Sequence, residues 1–528
     1  MHRFRLPGAI RATLLAAALG LGFASATQAA PPAAAEKARV VVEFKAGAGA
    51  ATRAAIAAAG GRVVRDLSQA NALAVEIPAS GVATLRRNAN VTFVEDDAMR
   101  YPMGWAAPKA KRGVNVLPGT AEVAPYGIAM VQADQLSDAS ATSRKLCIID
   151  SGIDGSHEDL QGIPMAGFNL TSSGQWNTDE NSHGTHVAGT IAAVDNAVGV
   201  VGVLPHQKIN LYIVKVFEAT GGASSSTVAA AMLRCAQAGA NVVSMSLGGP
   251  VGARVEQRVA DILTSQGILI IAAAGNDANF RLNYPAGFEN VVSVAAVDDK
   301  MNIASFSQVN RDVELAGPGV GVLSTVPIGS QTGAAVNVGA SSYPAIAMEG
   351  SPRTSATGPL ADFGTGEAAA DMTGKICLIQ RGNISFADKV LNCQNNGGLG
   401  AIVYNNVPDE PLNGTLGETV TTIPSVGTTQ AAGQTMLSQV GQSTTVAVFG
   451  TQDAYAFYDG TSMATPHVSG VAALVWSYFP TCTAEQIRAS LNKHALDRGT
   501  PGRDPQYGYG IVQAKATYDG INANGCGN

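Results

Sequence analysis

Leu146-Cys147-Ile148-Ile149-Asp150-Ser151-Gly152-Ile153-Asp154 is the stretch from which the rest of the chain can be laid out. Its first four residues form an uninterrupted apolar run, the pattern of a strand covered on both faces, as strands of parallel sheets are. The run ends at a carboxylate, so Asp150 stands at the carboxyl end of a buried strand. Outward from it, a helix opens near His183, followed by a strand at Ile209 to Phe217 and a helix across Ala229 to Ala238. A strand at Asn241 to Ser246, a helix near Val255 to Ser265, and strands at Ile268 to Ala273 and Val291 to Val297 continue the series. This alternation predicts an α/β domain, doubly wound on a mostly parallel sheet. Ligands bind such sheets outside the carboxyl ends of the strands, which is where Asp150, Ser246 and Asn276 fall.

The alternation breaks between about Gly329 and Gln452. That stretch is rich in Gly, Thr, Ser and Asn, with short strand-like runs such as Lys375 to Ile379 and Ala401 to Tyr404, and one helix-like run, Phe386 to Asn395. It reads as an inserted β-rich module. The α/β pattern resumes through Tyr458-Asp459-Gly460-Thr461-Ser462-Met463-Ala464-Thr465-Pro466-His467-Val468-Ser469-Gly470, then a helix near Ala484 to His494 and an irregular glycine-rich tail. Small apolar residues follow Ser462 nearly all round the helix, which implies burial. A hydroxyl at a helix start meets partial positive charge from unpaired N–H groups, which favours a developing oxyanion.

The N-terminal part carries Arg3, Arg5 and Arg11, an apolar run from Ala12 to about Phe23, and small residues up to Ala30. Residues 1–30 therefore read as a secretory signal peptide, and the chain as secreted and extracellular. From Arg39 to Asp97 the order strand, helix, strand, strand, helix, strand suggests a ferredoxin-like α+β unit. Ala98 to Ala124 turns to Pro, Gly, Lys and Ala and is expected to be a linker, where processing occurs. Within it, Lys109-Ala110-Lys111-Arg112 marks either a processing signal or a solvated segment.

The chain has 528 residues, 46% of them hydrophobic, a net charge of −6 and six cysteines. The acidic balance carries no footprint for nucleic acid, and no stretch reaches the roughly 18 apolar residues that a membrane span requires. In an exported chain, spacing favours the pairs Cys377–Cys393 and Cys482–Cys526. Cys147 and Cys235, in a core strand and a core helix, are expected to be buried thiols.

Asp150, His183 in His183-Gly184-Thr185-His186-Val187-Ala188-Gly189-Thr190, and Ser462 are the three groups that nucleophilic catalysis by serine needs. An imidazole takes the hydroxyl proton, and a carboxylate orients the imidazole. Their chain order, Asp, His, Ser, is that of subtilisin. The three segments resemble the signature motifs of the subtilisin-like (subtilase) serine proteases. That resemblance implies a secreted serine endopeptidase working through an acyl-enzyme, with Asp150 as orienter, His183 as general base and Ser462 as nucleophile. It makes Asn276, in Ala273-Ala274-Gly275-Asn276, the oxyanion-hole donor, and Ser246, Leu247, Gly248 and Gly275 substrate-binding residues.

The same resemblance implies a structural calcium ion held by Asp159, Asn196, Glu122 and the carbonyls of Val194, Val198 and Val200, an oxygen set suited to a hard cation. It makes residues 31–120 a propeptide, its folded part 39–97, which inhibits the enzyme intramolecularly until autoprocessing removes it. Residues 121–328 and 453–528 form the catalytic domain, and 329–452 resemble a protease-associated (PA) domain. Protein or peptide substrates, no membrane and a monomeric state are expected. Other readings are weaker: His183 and His186 lack the intervening Glu of a His-Glu-x-x-His metal motif, and Ser462 lies in Gly-Thr-Ser-Met-Ala rather than a lipase Gly-x-Ser-x-Gly. A binding protein without turnover would have no use for all three triad positions and Asn276. His467 reads as a packed helix histidine.

Overall fold

The computed structural model describes residues 37–103, 105–106, 117–219, 221–408, 412–417 and 419–528. The expected signal peptide and the Lys109-to-Arg112 cluster lie outside the described residues. Seven parallel strands form the central sheet, in the order Val313–Pro318, Val291–Val297, Leu269–Ala273, Val242–Met245, Lys145–Asp150, Asn210–Lys215 and Met165–Asn169. The two outermost strands escaped the sequence reading. Met165-Ala166-Gly167-Phe168-Asn169 is short and contains glycine, and Val313–Pro318 ends in a proline, which edge strands tolerate.

Helices cover both faces. On one lie His183–Ala192 and Thr461–Tyr478, whose Val187, Ile191, Met463 and Val468 join the largest apolar core. On the other lie Ser225–Gln237 and Arg254–Ser265, packed through Val228, Met232, Val255 and Val259. Cys147 projects into that second face, where it is bonded to Cys235 with a Cα separation of 5.7 Å. The expectation of two free thiols is therefore corrected. Burial signalled the contact between a central strand and its covering helix, which is the distance a disulfide spans. Closing a loop with a separation of 88 residues stabilises by about 4–5 kcal/mol in the chain-entropy model.

Residues 37–97 fold into a four-stranded antiparallel sheet, order Arg62–Leu67, Ala72–Pro78, Lys37–Phe44, Val91–Asp96. One face packs on its own helices, Gly49–Ala58 and Ala79–Arg86. The other places Val41, Leu67, Ala70 and Ala74 in the same core as the helices Ser225–Gln237 and Arg254–Ser265. Carboxylates lock the docking. Glu95 accepts the Arg254 and Val255 N–H groups at 2.9 and 3.0 Å, completing a helix start that has no side-chain cap of its own. Asp97 adds to the cap that Ser224 already gives the neighbouring helix, accepting Ser226 N–H at 2.8 Å and the Ser225 and Ser226 hydroxyls. Anions are favoured at such ends by the unpaired N–H groups and the helix dipole.

The insert holds an eight-stranded sheet, from Thr332–Val338 through Ser443–Gly450, with helix Phe386–Asn395 tied to strand Ile376–Gln380 by the bond between Cys377 and Cys393. A second helix, Gln430–Leu437, is opened by the Thr429 hydroxyl and was missed because Gly433 and Thr435 dilute its pattern. The tail expected to be irregular contains helix Ala514–Asn524, after which Cys526 is bonded to Cys482. Among the described residues, no helix is long and apolar enough to cross a membrane.

Candidate active site

Asp150 ends its strand fully buried, and its Oδ1 accepts the Ser151 N–H at 2.8 Å and His183 Nδ1–H at 2.7 Å. The turn after it requires glycine. Gly152 has φ of +107°, and a Cβ there would lie 2.2 Å from the Thr178 carbonyl oxygen. A Cβ on Gly184 would lie 2.2 Å from the Gly152 carbonyl oxygen, so the loop and the histidine helix meet backbone to backbone. Asp179 caps that helix: its Oδ2 accepts the Thr185 N–H at 2.8 Å, and burial pushes its carboxyl pKa up. Lys215, fully buried, donates to the Ser151 and Thr178 carbonyls at 2.8 and 3.0 Å and pairs with Glu180. The imidazole is thus held by Asp150 at Nδ1, while Nε2 has no hydrogen-bond partner among the described residues.

Ser462 is the second residue of helix Thr461–Tyr478 and is fully buried. Pro466 lies one turn further along, not at the helix start where a missing N–H costs least. Lacking that N–H, it leaves the Ser462 carbonyl without its helical donor. The Ser246 hydroxyl supplies one instead, at 2.8 Å. The Ser246 carbonyl in turn accepts the Ser462 hydroxyl at 2.8 Å, so the two serines are bonded reciprocally. Thr461, which sequence reasoning passed over, positions Asn276: its N–H and hydroxyl both donate to Asn276 Oδ1 at 2.9 Å. The hydroxyl also receives the Gly275 N–H at 3.2 Å. A helix-opening threonine next to the serine was the available signal.

Asn276 Nδ2 and the Ser462 N–H converge on one oxygen, the carbonyl of Met103, at 2.6 and 3.1 Å. The expected linker beginning at Ala98 is corrected here. Met99–Pro102 is a strand, inserted antiparallel between Leu247–Gly248 and Ala223–Ser224. Leu247 faces Pro102 and Gly248 faces Tyr101, and the Met103 N–H donates to the Ser246 carbonyl at 3.1 Å. The far wall, Ala223–Ser224, went unread because two residues carry no periodicity. Beyond Met103, the backbone of Trp105–Ala106 pairs with Tyr458–Asp459. The chain therefore crosses the cleft on both sides of Ser462.

The proposed calcium ligands are gathered at the end of the histidine helix. Asp159 is buried, its oxygens accepting Asn196 Nδ2 at 2.9 Å and the Val200 N–H at 2.8 Å. Glu122 accepts the Asn196 and Ala197 N–H groups at 2.9 and 3.1 Å. Burial pushes the Asp159 carboxyl up to about 7. Among the described residues no group of three or more His, Cys, Asp or Glu side chains could hold a metal, so an ion here would depend on amide and backbone oxygens. The donor set, two carboxylates plus neutral oxygens, fits calcium in kind.

His186 and His467 belong to the core. His186 Nε2–H donates to the Val322 and Ala456 carbonyls at 3.0 Å, and its ring stacks on Tyr458 at 4.3 Å. Burial depresses its pKa to about 3, and that of His467 to about 4. Both folded values lie below the ordinary value near 6.5, so as pH falls the unfolded chain binds protons that the folded chain refuses. Stability is expected to be intact above about pH 6.5 and to fall by about 1.4 kcal/mol per pH unit per histidine down toward those values. Because the raised Asp159 carboxyl acts in the opposite sense over this range, the check is urea denaturation of the wild type and a His467→Gln variant at pH 7 and pH 5; an identical pH dependence in the two would contradict it.

On a doubly wound sheet, this chemistry at the strand ends is that of a serine-type endopeptidase. The subtilase family profile matches residues 142–381 and 415–510, and the chain belongs to that family. A PA domain profile matches 344–436 and a peptidase inhibitor domain profile 16–97. Subtilisin DY of Bacillus licheniformis is 41% identical over 218 residues, 40% of this chain and 78% of its own. Subtilisin NAT of Bacillus subtilis subsp. natto is 35% identical over 277 residues, 51% of this chain and 68% of its own. The psychrophilic subtilisin-like protease Apa1 from Pseudoalteromonas sp. AS-11 superposes with a TM-score of 0.55 at 43% identity, covering 77% of this chain and all of Apa1. Fervidolysin from Fervidobacterium pennivorans, TM-score 0.59 at 23% identity, covers 92% of this chain and 61% of its own and shares the fold.

Proposed function

We propose that the chain is a secreted zymogen that cleaves its own bond between Met103 and Gly104 and then hydrolyses protein substrates through an acyl-enzyme. The observation that carries this is the Met103 carbonyl, held by Asn276 Nδ2 and the Ser462 N–H. These are the donors that a tetrahedral oxyanion requires. Rotation of the Ser462 hydroxyl from the Ser246 carbonyl to the free His183 Nε2 starts the reaction. Oγ attacks the Met103 carbonyl carbon as Nε2 takes the proton; Asp150 keeps Nδ1 protonated and stabilises the imidazolium. Collapse breaks the bond to Gly104, whose amine receives the proton from Nε2. Water then enters, gives a proton to His183 and releases the acyl group. On this reading the propeptide ends at Met103 rather than near 120. The signal-like N-terminus and the three disulfides support export to an oxidising compartment. The mature protein, recovered from the medium as a monomer, is expected to begin at Gly104 by intact-mass analysis and N-terminal sequencing. A first cleavage elsewhere would overturn the assignment.

Calcium, when bound, would supply positive charge to the Asp159–Glu122 loop and stiffen it. Val194, Asn196, Val198 and Val200 are the residues that would offer oxygens. Chelation is expected to lower Tm by about 5 °C or more, since binding to the folded state alone contributes a few kcal/mol. An unchanged melt would remove the ion from the proposal.

A further inference from the structure

The strand that crosses the cleft carries its side chains alternately outward and inward. Met99 and Tyr101 are 43% and 47% exposed, whereas Arg100 between them is fully buried. Its guanidinium meets Glu256, itself fully buried in the first turn of helix Arg254–Ser265. Nε donates to Oε1 at 3.0 Å and Nη2 to Oε2, the two-pronged arrangement that recognises a carboxylate with defined geometry. Nη1 is used as well, on the Met99 carbonyl at 2.8 Å. Gly249 leaves room for the side chain, since a Cβ there would lie 3.1 Å from Nη1.

Neither ion could be buried alone without a large desolvation cost. Glu95 and Asp97, the other carboxylates near Glu256, belong to the propeptide and leave with it, whereas Glu256 stays with the catalytic domain. With Met103 at Ser462, Arg100 is the fourth residue before the scissile bond. An apolar side chain entering as deeply would strand the carboxylate, and an acidic one would meet it as a like charge. We infer that Glu256 makes the fourth residue before the scissile bond a specificity position for arginine. Preferred substrates are extended protein segments with Arg three residues ahead of the residue whose carbonyl is attacked. This rests on the register of Met103 at Ser462 argued above.

The test uses mature enzyme and the p-nitroanilides of acetyl-Arg-Tyr-Pro-Met, acetyl-Ala-Tyr-Pro-Met and acetyl-Leu-Tyr-Pro-Met. The arginine peptide is expected to show a kcat/KM at least about tenfold above the alanine peptide. In Glu256→Gln that ratio should fall to within about threefold. Equal rates for the arginine and alanine peptides in the wild type would overturn the subsite while leaving the protease register standing. An undiminished arginine preference in Glu256→Gln would overturn the role of Glu256. Failure to cleave any of the three would overturn the register and the subsite together. If Glu256→Gln matures poorly, the Arg100→Leu, Glu256→Leu pair removes both charges at once; it should then favour the leucine peptide over the arginine one, and a retained arginine preference would again overturn the role.

Discussion

Replacing Ser462 by alanine is expected to lower peptide hydrolysis by about 10⁶-fold, the loss that subtilisin itself shows when its nucleophile is removed. The effect should be this large because Ser246, the serine bonded to it, directs its own hydroxyl to the Ser462 carbonyl and is not placed to substitute. The fold should survive, since the Ser462 N–H and the helix around it remain. The variant should therefore accumulate as an uncleaved chain with Met99–Pro102 still seated between Leu247–Gly248 and Ala223–Ser224. Electrophoresis of the secreted material and a casein assay decide the matter. A variant that matures and digests casein at the wild-type rate would remove Ser462 from the reaction.

Changing Asp150 to asparagine should cost about 10⁴-fold in kcat with little change in fold. Asp150 Oδ1 receives two donors, Ser151 N–H and His183 Nδ1–H. An amide oxygen in the Oδ1 place could accept both, but the flipped amide would present NH₂ to Nδ1 and demand the tautomer with the proton on Nε2. That tautomer has no lone pair with which to take the serine proton. The substitution also removes the negative charge that stabilises the imidazolium. Protein matured by a trace of wild-type enzyme, assayed for kcat with its Tm measured in parallel, separates loss of chemistry from loss of fold. Wild-type kcat in a folded variant would exclude the role given to Asp150.

Much of this site was legible because its residues sit where backbone rules are strict. A carboxylate at the end of an apolar run, a histidine opening a helix after Gly152 and a serine behind Gly460 each mark an element boundary that composition alone reveals. The boundaries gave an α/β domain with a β-rich insert; the subtilase and PA readings came from the resemblance of the motifs there to those families, and the family profiles match both. What sequence could not convey was contact between distant segments. Cys147 and Cys235 looked like separate core thiols until strand and helix were stacked. The stretch after Ala98 looked like a tether because a strand supplied with both neighbours by another domain needs no apolar rhythm of its own. At Pro466, only the structure reveals the carbonyl that the missing N–H frees and the hydroxyl that answers it.

That answer ties two tasks to one residue. Ser246 receives the backbone of the bound chain through its carbonyl and steadies the carbonyl of the attacking residue through its hydroxyl. A redesign that widens the cleft by moving Ser246 would therefore also detune the attack. Changes intended to alter selectivity alone belong further out, at positions such as Glu256 that touch the visitor without touching the blade.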